Sequence, residues 1–287
     1  MTGIVYINGS YRPYAKAYVH VEDRGFQFAD AVYEVIEVLG GGLVDASRHL
    51  ARLQQSLAEL QIREPVSHAV LLHIIKRVLR LNRVRDGLVY IQVSRGEGPR
   101  NFEFPQADVA PTLVVIARAQ PQARIEAQAT RGIAVKTVPD LRWARCDIKT
   151  VMLLPACLAK NQALAEGAKE AWFVDEHGNV TEGASSTAWI VTENGQLVTR
   201  KLDARILPGI TRATLMDCAS SDGLTIQERA FSVEEAKRAR EAFVTSASNT
   251  VMPVVEIDGC KVSDGKPGKL TLRLRSNFHH GAEFSVL

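Results

Sequence analysis

The sequence has no apolar run approaching the ~18 residues that a membrane-spanning helix requires, so an integral membrane protein is not expected. Cysteine is scarce: the four residues Cys146, Cys157, Cys218 and Cys260 lie far apart, with no CxxC pair. That spacing disfavours a zinc site or any other metal site, and a disulfide framework. It predicts reduced, mostly buried thiols in a cytoplasmic protein. No basic region followed by an apolar core opens the chain at Met1-Thr2-Gly3-Ile4-Val5, so no secretory signal is expected. An excess of one charge is also missing, because 35 Lys+Arg against 32 Asp+Glu leave a formal net of +3. The basic footprint of a nucleic-acid binder is therefore lacking, and the mixed charges read as solvated surface. There is no Gly-rich nucleotide loop, internal repeat or low-complexity segment.

What is present is a chain of 287 residues, 46% of them hydrophobic, enough for two domains sharing a cleft. Asn8-Gly9 fits a type I′ turn after a strand at 4–7, and the pattern continues as a strand at 18–21. A second hairpin is predicted from 31–39 through Gly40-Gly41-Gly42 to Leu43-Val44. Ser47 is placed to cap a helix through Leu50, Leu53, Leu57 and Leu60, and a second helix spans 67–81. Strands follow at 88–94 and 112–117. Residues 119–129, with Pro121, read as an interdomain linker between a small domain (1–118) and a larger one (130–287).

The larger domain opens with a strand at 133–137, a helix over 150–166 and a strand at 171–174. Asn194-Gly195 marks another hairpin, between 185–191 and 196–199. Helices at 211–220 and 233–240 and strands at 242–245 and 254–257 complete an α+β fold, with a ligand cleft expected where the domains meet.

Three segments are unusual for structure alone. Arg145-Cys146-Asp147-Ile148-Lys149-Thr150 puts a lysine at an apparent strand-to-helix transition, where the positive end of the helix dipole would favour a neutral, nucleophilic amine. Its ordinary reading is a solvated lysine. Val180-Thr181-Glu182-Gly183-Ala184-Ser185-Ser186 is a turn-like run of small hydroxyl residues around one carboxylate, suited to close approach by a ligand or simply to a hairpin connection. Leu207-Pro208-Gly209-Ile210-Thr211-Arg212 opens a helix whose free N–H groups make a phosphate site, or only a helix start. Ser246-Ala247-Ser248 is a further small polar loop. Together they match the parts of a pyridoxal 5′-phosphate (PLP) site: a Schiff-base lysine, a carboxylate for the pyridine nitrogen and a helix start for the phosphate.

The order and spacing of these segments resemble the class IV aminotransferases of fold type IV, most closely the D-amino-acid aminotransferases. The resemblance runs from Val5-Tyr6-Ile7-Asn8-Gly9 to about Lys269. Its strongest stretches are Glu22-Asp23-Arg24-Gly25-Phe26-Gln27-Phe28-Ala29-Asp30, Val32-Tyr33-Glu34, His49-Leu50-Ala51-Arg52-Leu53, Asp147-Ile148-Lys149, Thr181-Glu182-Gly183 and Gly209-Ile210-Thr211-Arg212. It implies a two-domain fold with a small N-terminal domain and a larger PLP-binding domain. By the resemblance, Lys149 is the Schiff-base lysine and Glu182 the acid for the pyridine nitrogen. Arg52 binds the phosphate with Gly209, Ile210 and Thr211. Leu207 packs on the ring, and Ser185, Ser186, Ser246 and Ala247 also contact the cofactor. Tyr33 stands beside the lysine and the substrate, and Arg100 takes the substrate carboxylate.

This sequence departs from the family pattern at three places. The carboxylate loop reads Pro99-Arg100-Asn101-Phe102, with Phe102 where a histidine is expected, which implies a weaker or differently built trap. Arg24 is an alternative anchor, although a structural salt bridge is its ordinary role. Thr187 replaces an asparagine and Ala247 a threonine, which puts PLP affinity in doubt unless Ser246 or Ser248 compensates. The resemblance implies transamination of D-amino acids with a 2-keto acid such as 2-oxoglutarate or pyruvate, in a homodimer. Branched-chain L-amino acids or (R)-amines as donors, aminodeoxychorismate lysis, and a PLP binder without catalysis are the alternatives.

Overall fold

A computed structural model of the chain describes residues 3–105 and 109–286. The chain forms two compact units. The first comprises the chain up to Pro121, the short segment Ile148–Met152, and the tail from Glu283. The second holds Gln122–Asp147 and Leu153–Ala282.

The first unit begins with β1 (Ile4–Ile7) and β2 (Ser10–Pro13). The two-residue turn between them has Asn8 at φ 41° and Gly9 at φ 87°, the left-handed pair of a type I′ turn. Helix α1 (Arg24–Phe28) starts from an Asp23 side-chain cap. Strands β3 (Ala31–Leu39) and β4 (Gly42–Val44) form the second expected hairpin, followed by helices α2 (Ala46–Glu59) and α3 (His68–Asn82) and strands β5 (Gly87–Ser94) and β6 (Thr112–Ala119). With β16 (Phe284–Val286), these strands make a seven-stranded sheet ordered β16-β4-β3-β5-β6-β1-β2. Leu50, Leu53 and Leu57 of α2, and Leu71, Ile74, Ile75 and Val78 of α3, recur at helical spacing and are all buried.

Residues 18–21, expected as a strand, form none. Tyr18 and Val21 are exposed there, with no burial to support an extended pairing. Ser47 is not the cap of α2 either. The helix starts one residue earlier, after Asp45 at φ 53°, and the Ser47 hydroxyl donates to Glu283.

The second unit opens with α4 (Gln122–Ala129), where the sequence suggests a linker. Pro121 stands immediately before this helix instead of breaking it, and Ile125 and Ala129 are buried in the unit's core. Next come β7 (Ile133–Pro139), α5 (Leu154–Ala165), β8 (Glu170–Val174), β9 (Val180–Gly183), β10 (Thr187–Val191), β11 (Leu197–Thr199), α6 (Ile210–Ser221) and β12 (Ile226–Glu228). The unit closes with α7 (Val233–Lys237), β13 (Glu241–Ser246), β14 (Thr250–Ile257), β15 (Cys260–Lys261) and α8 (Lys269–Gly281). The second sheet is ordered β12-β11-β10-β13-β14-β7-β8-β9, with β15 on β14. Trp172, Ile190, Phe231, Val244 and Met252 pack in its core, and Trp189 stacks on Phe243 with centroids 5.6 Å apart. The start of α8 is capped by Glu241, whose carboxylate accepts from Leu270 N at 3.0 Å and Thr271 N at 2.8 Å.

None of the helices among the described residues is long and apolar enough to cross a membrane. Among the same residues, no group of three or more His, Cys, Asp or Glu is placed to hold a metal. All four cysteines are free thiols, but the expectation of mostly buried ones is not met: Cys157 and Cys260 are exposed, and Cys146 and Cys218 half-buried. Cys157 lies on α5 and Cys260 in the short β15 strand, both at the surface. A disulfide reagent added to the native protein is expected to modify Cys157 and Cys260 first. Four equally slow thiols would contradict these placements.

Candidate active site

In the first unit, Lys149 lies on an extended segment that adds to the start of β3. Tyr33 N donates to Lys149 O at 3.0 Å, Val151 N donates to Ala31 O at 3.0 Å, and Val32 and Thr150 form a bridge. Extended backbone alternates its side chains, so Ile148 and Thr150 point inward and are buried while Lys149 points the other way. Its Nζ stands 4.2 Å from the centre of the Tyr33 ring. The expected helix start is not here: α5 begins at Leu154, five residues on. The lysine is positioned by strand pairing and by Tyr33.

Tyr33 and Glu34 are neighbours in β3 and face opposite sides of the sheet. On the Tyr33 side lies Tyr90, with ring centroids 5.7 Å apart, and the Tyr90 hydroxyl donates to Gln92 at 2.6 Å. Burial first, and Tyr33 second, push the Tyr90 phenol up to about 12. On the other side, Glu34 is fully buried between Arg52 and His49 of α2. Arg52 Nε donates to Oε1 at 2.7 Å and Arg52 Nη2 to Oε2 at 2.9 Å, and His49 Nδ1 lies 2.7 Å from Oε2. Burial alone would raise the Glu34 carboxyl; Arg52 and then His49 overcome it and hold it at about 2. The bidentate fork that makes Arg52 attractive for phosphate is thus engaged by Glu34.

Arg24 is a structural residue, as its ordinary role suggests. Its Nε donates to Asp30 at 2.8 Å, its Nη1 to Asn101 O at 2.7 Å, and Arg95 meets the same Asp30. Arg100 is exposed, 5.5 Å from the Phe28 ring centre, and Phe102 is 85% exposed beside Phe28. Phe102 therefore has little of its apolar surface covered within its own unit.

In the second unit, Glu182 is on β9. Residues 180–183 form a buried strand rather than the expected turn: Val180 and Thr181 are β-branched, and Val180 and Gly183 pair with β8. The Glu182 carboxylate accepts from Leu207 N at 3.3 and 3.2 Å, and from Arg142 Nη1. Arg142 is also bound by Asp140, with Nε to Oδ1 at 2.9 Å and Nη2 to Oδ2 at 2.8 Å. Burial works against the Arg142 charge, but Asp140 and Glu182 outweigh it and raise its pKa. Burial likewise opposes the Asp140 charge, yet Arg142 keeps that carboxyl below its usual range. Nearby, burial pushes the Cys146 thiol up to about 11, so it is neutral beside this cluster.

From Leu207 the chain runs through Pro208 to Gly209, the N-cap of α6, which has no side-chain cap. The first N–H groups of α6 are therefore open to an anion, and Thr211 is buried in the same turn. A Cβ on Gly209 would come within 2.9 Å of Thr187 Oγ1, so this close approach requires glycine. Ser185 and Ser186, expected as cofactor contacts, both direct their hydroxyls to Glu170, at 2.9 and 3.1 Å. Ser246 and Ser248 pair with each other at 3.2 Å across Ala247.

Taken unit by unit, the side chains are of the kinds PLP needs: the first unit has a lysine amine beside an aromatic ring, and the second has a buried carboxylate and a helix start with a hydroxyl. One backbone N–H, that of Leu207, ties the carboxylate to the loop that opens the helix. Sequence reading missed Glu34, Asp140 and Arg142. Glu34 carried a signal, since period-2 alternation in Val32-Tyr33-Glu34-Val35-Ile36 turns an acid toward the core. Asp140 and Arg142 lie in an irregular stretch with no pattern to mark them.

The family model described as Amino-transferase class IV matches residues 31–257. The chain is 37% identical over 276 residues to the D-alanine aminotransferase of Staphylococcus haemolyticus, covering 96% of each chain. It is 37% identical over 272 residues to that of Bacillus licheniformis, covering 95% of this chain and 94% of the other. Among solved structures, a branched-chain amino acid aminotransferase with pyridoxamine 5′-phosphate has a TM-score of 0.88 at 25% identity, covering 97% of this chain and 93% of that one. The Escherichia coli branched-chain amino acid aminotransferase matches with a TM-score of 0.88 at 23% identity, covering 97% and 94%, a likeness of fold. The chain belongs to the class IV aminotransferase family and has the α+β fold expected of it.

Proposed function

We propose that the protein is a PLP-dependent D-amino-acid aminotransferase that passes the amino group to a 2-keto acid such as 2-oxoglutarate or pyruvate in ping-pong fashion. The observation that carries this reading is the match, at 37% identity and over 96% of both chains, to a D-alanine aminotransferase. When bound, PLP supplies an electrophilic carbon for amines and a ring that takes up the electron pair left when the α-proton departs.

Lys149 is the residue that would hold the cofactor covalently through its amine, and the same amine, when free, would move the substrate α-proton as general base. The Tyr33 ring fixes the swing of that side chain, 4.2 Å from its amine. Glu182 keeps a proton on the pyridine nitrogen. The N–H groups of Ile210 and Thr211, following Gly209, hold the phosphate with the Thr211 hydroxyl, and Arg52 adds a positive charge. Leu207 packs on the ring. Ser246 and Ala247 have smaller shares, and Ser185 and Ser186 act through Glu170 rather than by direct contact. Arg100 takes the substrate carboxylate without the usual histidine partner.

We place the enzyme in the cytoplasm as a homodimer; a monomeric mass with full activity would contradict the dimer. The substrate reading is tested with D-alanine, L-leucine and (R)-1-phenylethylamine as amino donors. D-alanine is expected to bleach the cofactor absorbance fastest, and turnover of L-leucine alone would reject D-specificity. A silent PLP binder would leave the absorbance unchanged with every donor. Phe102 gives the amine alternative its specific support, since an apolar group replaces a carboxylate ligand there.

A further inference from the structure

Arg142 is engaged on all sides by its neighbours in the second unit. Its guanidinium meets both oxygens of Asp140, the Thr181 hydroxyl at 3.3 Å, the Arg205 carbonyl at 3.1 Å and the Glu182 carboxylate. One face lies 4.3 Å from the centre of the buried Phe173 ring. With every edge and one face engaged, the side chain is 13% exposed and has no room to rotate. Asp140 is fixed in turn, accepting from the Thr181 hydroxyl at 2.8 Å. Leu207 N–H completes the frame around Glu182 from the other side.

We propose that Arg142 is a positioning residue for the cofactor-pairing acid, holding Glu182 as a fixed anion within an Asp140–Arg142–Glu182 triad. The proposal rests on the reading that Glu182 pairs with the pyridine nitrogen of PLP. The charges explain why three groups are used rather than one. Two carboxylates and one guanidinium sum to −1, which one protonated pyridine nitrogen neutralises. A lone buried Glu182 would tend to take up a proton itself, because burial disfavours its charged form. A Glu182–Arg142 pair alone would be neutral and would give the nitrogen's positive charge no net counter-charge. Asp140 restores the missing negative charge while its own oxygens stay bonded to Arg142 and the Thr181 hydroxyl. Without Arg142, Asp140 and Glu182 are two carboxylates in one small space, and one of them is driven to the neutral form. A neutral Glu182 no longer stabilises a protonated ring nitrogen.

The test is a double-mutant cycle on cofactor affinity, with PLP titrated into the apo-protein. Arg142→Met is expected to weaken PLP binding about tenfold, or about 1.4 kcal/mol. Arg142→Lys keeps the charge without the planar fork and should recover part of that loss. In a Glu182→Gln background the same Arg142→Met change should alter PLP affinity by less than about twofold, since additive effects are the mark of independent roles. In the loaded enzyme, Arg142→Met should lower kcat while KM for D-alanine stays within about twofold, as expected when the amino-acid contacts are untouched. A loss of the same size with and without Glu182 would make Arg142 a fold-stabilising residue and overturn the proposal. Unchanged affinity in Arg142→Met would overturn it too. Should Arg142→Met fail to fold, Arg142→Lys is compared in the two backgrounds, and equal effects in both overturn it. Wild-type protein that binds no PLP would instead sink the functional reading itself, a result separable from any outcome of the cycle.

Discussion

Replacing Lys149 with alanine is expected to lower transamination of D-alanine by about 10⁴-fold, the loss typical when a nucleophile and a general base vanish together. The two roles fall on one amine. Its backbone is fixed by pairing to β3, through Tyr33 N to Lys149 O and Val151 N to Ala31 O. Stability should change little, because Lys149 is only half-buried and makes no ion pair among those found in the described residues, so its removal leaves no buried charge alone. The variant should therefore unfold at nearly the wild-type denaturant concentration and yet form no keto acid. Residual PLP binding through Glu182 and the α6 start is expected, but D-alanine should no longer change its absorbance on the wild-type time scale. A Lys149→Ala enzyme with full turnover would end the assignment of this lysine.

The second large effect is on stability. Glu34→Gln should destabilise the protein by about 3–5 kcal/mol, as happens when one partner of a buried ion pair is removed. Arg52 and His49 would remain buried against a neutral amide, 7% and 3% exposed. Urea titration with an intrinsic probe reads the change, and a shift below about 1 kcal/mol would show that the pair contributes nothing beyond packing. The pH dependence has a definite sign. The Glu34 carboxyl moves from an ordinary 4.5 down to about 2 on folding, so the unfolded chain binds its proton first. The stabilisation is complete above about pH 4.5 and is lost as pH falls toward 2. Wild-type stability should drop more steeply than that of Glu34→Gln across this window. Parallel acid profiles would remove Glu34 from the account.

Glu34 owes its role to residues distant in the chain, whereas much of the fold follows from local signals. Elements with strong local signals were legible. Asn8-Gly9 carried its two-residue turn because left-handed backbone is a local property of those residues. The leucines of α2 and the Ser67 cap of α3 did the same for the helices. Weak signals failed where burial decided otherwise. Residues 18–21 have strand-forming side chains but no partner strand, and Pro121 precedes a helix that the core of the second unit holds in place.

The candidate site divides in the same way. Lys149, Glu182 and the Gly209–Thr211 helix start were visible because their chemistry is carried by residue type in a fixed order. The sequence also determined the family, since an ordered set of short stretches spread over the chain specifies more than any one of them. Only the tertiary structure decided what stands behind those groups. It moved Lys149 from a helix start to an extended segment on β3, and engaged the Arg52 fork with Glu34. It turned Ser185 and Ser186 toward Glu170 and set Asp140 and Arg142 behind Glu182. The physical reason is that charge pairing in a buried place depends on distance through space. Glu34 and Arg52 are 18 positions apart, and Arg142 and Glu182 are 40 apart. No periodicity of strand or helix links positions so far apart along the chain.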